Sequence, residues 1–460
     1  MEANICDAKT GSLDEKQNTS SDHNDQISEE ISLSQDNCSS EHMDVLLGKF
    51  NSLVLSSEEY QKYAKSEQGY MRTLQKALDT VDIKINGSRP WDVKVHHPLL
   101  YRRVLRKGSL GLGEAYMDGW WDTNDFYSLH LFFKKILEGN LEYYFPNSAK
   151  DFCNVLKARL YNFQTKKKSK RVGIQHYDLG SKFFEEMLGK SMQYSCAYWV
   201  KHDANGNPCR VETLDEAQEV KLKMIGDKLK LKKGMEVLDV GCGWGTLAKF
   251  LSERYDVKVV GITISQQQYE FASEYTKDDP NVTILVQDYR DVNFTRKFNR
   301  IVSVGMFEHV GYKNYSTFFK CMRRLLKNDD PDARLLLHTI GGKITKCTAD
   351  QWYLKYIFPG GCLPSIMNIG KSSERKFVIE DIHNFGFFYG PTLMAWREHL
   401  LNMWRRDVQS RLNEKTEGFF RMFYYYLSSS AGAFLSRDLQ LWQIVFSPNG
   451  LPEYPDIPRP

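Results

Sequence analysis

No run in this chain approaches the roughly 20 consecutive apolar residues that a membrane-spanning helix requires, so an integral membrane protein is excluded. The N-terminus also lacks a cationic head followed by an apolar block and a small-residue cleavage site, so no secretory signal is expected. The expected location is cytoplasmic. The nine cysteines are odd in number and scattered, with no Cys-x-x-Cys pair and no His-rich partner segment, which argues against both a disulfide framework and a metal site. No internal repeat is visible. What is present is the balance of a globular protein, 42% apolar and 26% charged, in 460 residues, room for two or three domains of roughly 150 each.

The net charge of +4 hides an asymmetry. Residues 1–44 carry 11 acidic and 2 basic side chains, which leaves the remainder of the chain at +13. The first segment is rich in Ser, Asp, Glu, Asn and Gln and nearly free of aromatics, so it cannot offset the entropy of ordering and is expected to be a disordered acidic tail. The basic body favours an anionic partner, and because no nucleic-acid recognition module accompanies the charge, an anionic membrane surface is expected rather than nucleic acid.

Residues 45–165 read as a small mixed α+β domain: helical spacing, a strand-like Val81–Ile85, an Asn86-Gly turn, then Trp91–Val95 and more helical pattern. A basic linker, 166–172, closes it; its five cations in six residues suit either a solvated connector or a patch against phospholipid headgroups. Trp120, Trp121, Phe126, Leu129, Leu131, Phe132 and Phe133, followed by Lys134 and Lys135, have the mixture of an interfacial segment. An ordinary helix packed on a neighbouring domain has the same mixture. From 173 to 460 the pattern changes to α/β, with strands expected at 235–240, 257–262, 282–286, 300–304 and 334–340, and helices at 246–254, 266–276 and 315–326.

The sharpest short motif is Val237-Leu-Asp-Val-Gly-Cys-Gly-Trp-Gly245, an apolar strand running into a glycine-rich turn that opens a helix. Gly241, Cys242, Gly243 and Gly245 would let the backbone approach a ligand closely. The spacing is G-x-G-x-G rather than G-x-G-x-x-G, and the second strand ends without the acid that a dinucleotide ribose needs. The motif resembles the nucleotide-binding signature of S-adenosylmethionine-dependent methyltransferases, in which this turn lies under the methionine and ribose parts of the cofactor. Thr263 and Gln268 are candidates for the ribose hydroxyls, Asp288 for an adenine amine, and Tyr289 for the ring face.

Longer blocks extend the resemblance: Gly108-Ser-Leu-Gly-Leu-Gly-Glu-Ala-Tyr-Met-Asp-Gly-Trp-Trp121, His176-Tyr-Asp-Leu-Gly180, Met192-Gln-Tyr-Ser-Cys-Ala-Tyr-Trp199, Val304-Gly-Met-Phe-Glu-His-Val-Gly311, Leu336-Leu-His-Thr-Ile-Gly341, Phe358-Pro-Gly-Gly-Cys-Leu-Pro-Ser365 and Asp381-Ile-His-Asn-Phe-Gly386. Together they resemble the cyclopropane-fatty-acyl-phospholipid synthase family over roughly residues 88–448. Some members carry a cysteine before Ala-Gly-Ala-Phe where this chain has Ser430, so a thiol there is not essential. The resemblance implies a class I, Rossmann-like α/β fold with a mostly parallel seven-stranded sheet, helices on both faces, and an N-terminal lipid-binding domain. It also implies S-adenosylmethionine bound by residues including Tyr194 and Ser195, and a bicarbonate base held by Cys196, Glu308, His338, Ile340 and Tyr389. The implied partners are an unsaturated phospholipid and a membrane surface, and a homodimer is compatible with it.

An alkene is a poor nucleophile, so the sulfonium methyl must be held in line with a cis double bond in a dry cleft. Attack leaves positive charge on the acyl chain, which the aromatic faces of Tyr194, Tyr198, Trp199 and Tyr389 suit. Ring closure then needs a base beside the added carbon. In the anion site, the amides of Cys196 and Ile340 would join His338 and Tyr389 as donors, with Glu308 as acceptor; His309 is a weaker candidate. The rival readings are a methyltransferase of the same lineage acting on a small amine or stopping at a methyl branch, and a lipid-binding protein that has lost catalysis.

Overall fold

Short apolar segments alternating with amphipathic ones build a central seven-stranded sheet in the computed structural model, which describes residues 55–141, 162, 164–165, 181–407, 414–453 and 457–459. The acidic tail 1–44, the basic run 166–172 and the block 176–180 lie outside the described residues. Helices α1 (Ser57–Asp79), α2 (Leu100–Met117) and α3 (Leu129–Glu138) interleave with a ribbon of β1 (Val93–Val95) and β2 (Trp121–Thr123). There follow α4 (Ser181–Leu188), the hairpin β3 (Val200–His202) and β4 (Pro208–Arg210), and α5 (Leu214–Lys228). The α/β alternation runs β5 (Glu236–Val240), α6 (Thr246–Tyr255), β6 (Lys258–Thr263), α7 (Gln266–Tyr275), β7 (Val282–Val286), β8 (Arg300–Val304), α8 (Tyr315–Leu325) and β9 (Arg334–Gly342). Then come α9 (Gln351–Tyr356), α10 (Ile366–Ser373), β10 (Val378–Asn384), α11 (Tyr389–Asp407), α12 (Glu414–Leu435) and β11 (Leu439–Ser447).

The strand order is β10-β11-β9-β8-β5-β6-β7, parallel from β9 to β7, with β11 antiparallel to both β9 and β10. Chain direction along the sheet reverses between β5 and β8, and a ligand crevice forms where such a reversal occurs, at the carboxyl ends of the strands. Successive side chains alternate between faces. Leu238, Val240, Ile301 and Leu335 pack beneath Phe318 and Met322 of α8. On the opposite face Val237, Val259 and Val302 meet Ile225 of α5 and Leu251 of α6. Covering on both faces is why these strands read as nearly unbroken apolar runs.

The five expected strands all form, with ends differing by a residue or two. β10 and β11 were outside that expectation. β10 is an edge strand carrying Glu380, Asp381, His383 and Asn384, so it shows no clean apolar alternation. The strand expected over 81–85 does not form: Asp82 turns at φ 54°, and only Ile85 bridges to Val93. The Asp92 carboxylate takes the Lys84 amide at 2.8 Å, so that amide is not available to a ladder.

The interfacial reading of the segment after Trp120 is also corrected. Trp121, Phe126, Leu129, Phe132 and Phe133 are buried, and the segment is held by α12. Arg421 donates to the Trp121 carbonyl at 3.0 Å and the Tyr424 hydroxyl to the Phe126 carbonyl at 2.9 Å. The helices α3 and α12 approach at Gly432, where an added Cβ would lie 2.6 Å from Phe133 Cβ and 2.7 Å from the His130 carbonyl oxygen. Gly432→Val is therefore expected to destabilise the fold by about 1–3 kcal/mol through overpacking, measured by chemical denaturation.

Candidate active site

The glycine turn stands at the carboxyl edge of β5. Gly241 has φ 85°, and an added Cβ would lie 2.7 Å from Met306 Cβ. Gly243, at φ 55°, has nothing within 4 Å of the Cβ position, so its backbone faces open space. Both glycines and Cys242 line a cavity of about 1150 Å³ that crosses the crevice. Gly245 is not part of its wall. It starts α6 at φ 83° against Ala272, so its contribution is to shape the turn.

The remaining cofactor candidates converge on the same cavity. Thr263 Oγ1 donates to Gln268 Oε1 at 2.7 Å and accepts from the Ser265 amide at 3.2 Å. The threonine therefore orients the glutamine, leaving the amide end of Gln268 for a ligand. Asp288 is clamped by Arg290, whose Nε lies 2.8 Å from Oδ1 and whose Nη2 lies 2.5 Å from Oδ2. Tyr289 borders the cavity, but its ring packs edge-on against Phe318 in the core. Tyr194 donates to the Tyr426 hydroxyl at 3.0 Å, and Ser195 Oγ accepts from Lys221 Nζ at 3.0 Å.

Three participants were not anticipated. Asp239, two residues before Gly241, has a buried Oδ2 without a hydrogen-bond partner among the described residues, and burial pushes its carboxyl up to about 7. Lys221, inside α5, is pushed down to about 7 by the same desolvation. A charged residue interrupting the apolar strand Glu236–Val240 was the available signal for Asp239; Lys221 and Tyr426 had none, since only tertiary packing brings Tyr426 to the cavity wall and Lys221 behind Ser195.

At the other end of the crevice, Glu308 sits on the single turn after β8, while His338 and Ile340 are two apart on β9 and share a face. Glu308 is buried and Oε1 accepts from the Ile340 amide at 2.6 Å. That amide, expected to contact a bound anion, is thus committed to the carboxylate. Two buried atoms remain without partners among the described residues, Glu308 Oε2 and His338 Nε2. Burial raises the Glu308 carboxyl to about 7 and, with Lys221 and Lys228 nearby, drives His338 well below its ordinary value, so the imidazole is neutral. Burial also keeps Tyr389 a neutral phenol, its ring stacked on Phe434.

Tyr194 and Tyr389 line the cavity, whereas Tyr198 and Trp199 do not, which corrects their expected role. Tyr198 packs against Phe385 and Phe388, and Trp199 donates to Thr392 Oγ1 at 3.0 Å. The Cys196 thiol is also off the wall, 3.2 Å from the Ala197 carbonyl oxygen. His309 lines the cavity beside Phe358. Beyond the polar crevice the same cavity continues into an apolar stretch bounded by Leu74, Leu78, Val95, Val104, Phe132 and Ile136.

Residues 164–444 match the family described as mycolic acid cyclopropane synthetase. The chain is 50% identical over 393 residues to the cyclopropane-fatty-acyl-phospholipid synthase of Escherichia coli strain K12, covering 85% of this chain and 97% of that one. Among solved structures it is similar to the cyclopropane synthase MmaA2 from Mycobacterium tuberculosis, with TM-score 0.52 and 29% identity over 60% of this chain and 97% of that one. It is equally similar to the mycolic acid cyclopropane synthase CmaA1 complexed with SAH and CTAB, with TM-score 0.52, 30% identity and the same coverage.

The raised pKa of Glu308 has a sign that stability measurements can read. Folding favours its protonated form, so the associated stability is present below the ordinary carboxylate range and is lost as pH rises through about 7. Glu308→Gln keeps the neutral shape at all pH values. The variant should gain on the parent chain between pH 5 and pH 8, by up to about 3 kcal/mol in paired denaturant titrations; a constant difference would contradict the assignment.

Proposed function

Since the chain belongs to the mycolic acid cyclopropane synthetase family, we propose that it converts cis double bonds in the acyl chains of phospholipids into cyclopropane rings, with bicarbonate as the base. It is an S-adenosylmethionine-dependent methyltransferase. The observation that carries the proposal is the pair of buried, unpartnered atoms, Glu308 Oε2 and His338 Nε2, on the wall of a cavity that joins the glycine turn to an apolar channel.

When bound, S-adenosylmethionine supplies the sulfonium methyl and bicarbonate the proton acceptor. Gly241 and Gly243 make room for the cofactor backbone-to-ligand, Gln268 and Asp288 hold its polar edges, and Ser195, oriented by Lys221, faces its amino-acid end with Asp239. These groups fit a ligand with ribose, amine and carboxylate functions. The anion end fits as well. A neutral His338 has one N–H to give, Tyr389 a phenolic hydrogen, and ionised Glu308 only accepts, so together they suit a small anion that carries both oxygens and one hydroxyl. Glu308 would draw on that hydroxyl hydrogen and raise the anion's basicity.

The chain's own residues then divide the work. Leu74, Val104, Phe132 and Ile136 exclude water and hold an acyl chain extended toward the crevice. The faces of Tyr194 and Tyr389 stabilise positive charge developing on that chain without bonding to it. Residues 45–165 form the lipid-binding part in this reading, and the +13 charge of the chain beyond residue 44 draws it to anionic membrane surfaces.

Lipids from a host expressing the chain should gain one CH2 per converted double bond, with a ring rather than a branch on chain fragmentation by mass spectrometry. Glu308→Gln and His338→Ala should each cut turnover by about a hundredfold while calorimetric affinity for S-adenosylmethionine stays within about twofold. Undiminished product formation in both variants would remove the base site. The full chain should also sediment with anionic vesicles and release as salt is raised, whereas equal binding to neutral vesicles would contradict the charge-based delivery.

A further inference from the structure

Antiparallel pairing of the last strand places Gln443 of β11 directly opposite His338 of β9 on one side and His383 of β10 on the other. Directly opposed residues project from the same face of a sheet, so the three side chains form a polar ladder. All three are buried, as is Lys228 at the end of α5. Lys228 Nζ lies 2.9 Å from Gln443 Oε1 and 2.9 Å from His383 Nδ1. Gln443 Nε2 lies 3.3 Å from His338 Nδ1. Among the described residues His338 Nε2 is the one buried side-chain nitrogen or oxygen of this ladder left without a partner, and His338 lines the cavity.

The order of donors and acceptors follows from the lysine. An ammonium only donates, and a neutral amine still has two N–H bonds, enough for both of its neighbours here. With Lys228 donating to both neighbours, the oxygen of the Gln443 amide faces it, which turns the NH2 toward His338 Nδ1. A ring nitrogen that accepts a hydrogen bond carries no hydrogen, so the proton of a neutral imidazole must be on Nε2. We propose that Lys228 and Gln443 are positioning residues that lock His338 in the Nε2–H tautomer, so that the cavity meets a donor beside the Glu308 acceptor. Released from Lys228, the Gln443 amide could rotate and present its oxygen to Nδ1. The ring would then offer a lone pair to the cavity, and two acceptors would face any bound anion.

The catalytic meaning of this lock rests on the reading of His338 as a donor to a small anion, but the tautomer is observable by itself. In the full chain with isotope-labelled histidine, proton–nitrogen correlation NMR reports the tautomer of each ring, with His338 assigned from the signal lost in His338→Gln. The expected result in the parent chain is Nε2–H; an Nδ1–H ring or an imidazolium would overturn the proposal. In Lys228→Met the His338 nitrogen signals should move toward averaged tautomer values, and unmoved signals would overturn it equally. Turnover on unsaturated phospholipid should fall about tenfold in Lys228→Met with the KM for S-adenosylmethionine unchanged, and recover in Lys228→Arg. If Lys228→Met fails to fold, the parent spectrum still decides. Absence of cyclopropane product from the parent chain would count against the proposed reaction and leave the NMR result standing.

Discussion

Glu308 Oε2 and His338 Nε2 are sealed from solvent with no protein partner among the described residues, a condition that costs about 1–3 kcal/mol for each such group. In the proposed reaction the bound anion would supply the missing partner. The neighbouring geometry is arranged so that the two atoms cannot satisfy themselves. The Ile340 amide holds Glu308 by its other oxygen, and Gln443 occupies the other nitrogen of His338. Each unsatisfied atom therefore has its opposite end tied to the sheet, which fixes direction as well as position.

Around the glycine turn, burial acts on a different pair of residues. Asp239 and Lys221 are both buried, and each is displaced from its ordinary charge preference by desolvation. Lys221 reaches Gln193 and Ser195, at 2.6 and 3.0 Å, and so organises a segment that has no regular secondary structure of its own. The polar crevice between these two ends opens onto an apolar channel walled by α1–α3 and β1. Polar and apolar walls are thus joined in one cavity.

Much of this was legible beforehand because it depends on local pattern. The glycine turn at 241–245 and the parallel strands that frame it are written as contiguous motifs, and doubly covered strands announce themselves by apolar runs. Glu308 and His338 came from the family resemblance, and their places after β8 and on β9 agree with it. What stayed hidden depends on packing between distant segments. Trp121, Phe132 and Phe133 have the composition of a membrane-facing segment, and only the approach of α12 shows that they are interior. Likewise Tyr198 and Trp199 sit beside useful neighbours in sequence, but Thr392 and Phe388 turn them elsewhere. Lys228 and Gln443 are 215 positions apart and carry no mutual signal.

The placement of β11 has a consequence for biogenesis. It is the last described strand in chain order, yet it occupies an interior position, between β9 and β10. The parallel core from β5 to β9 can assemble while translation continues, but β10 has no rung to join until β11 has been made. Until then the imidazole on β9 lacks its cross-strand neighbour Gln443. One strand thus completes both the sheet and the hydrogen bond that His338 receives from Gln443.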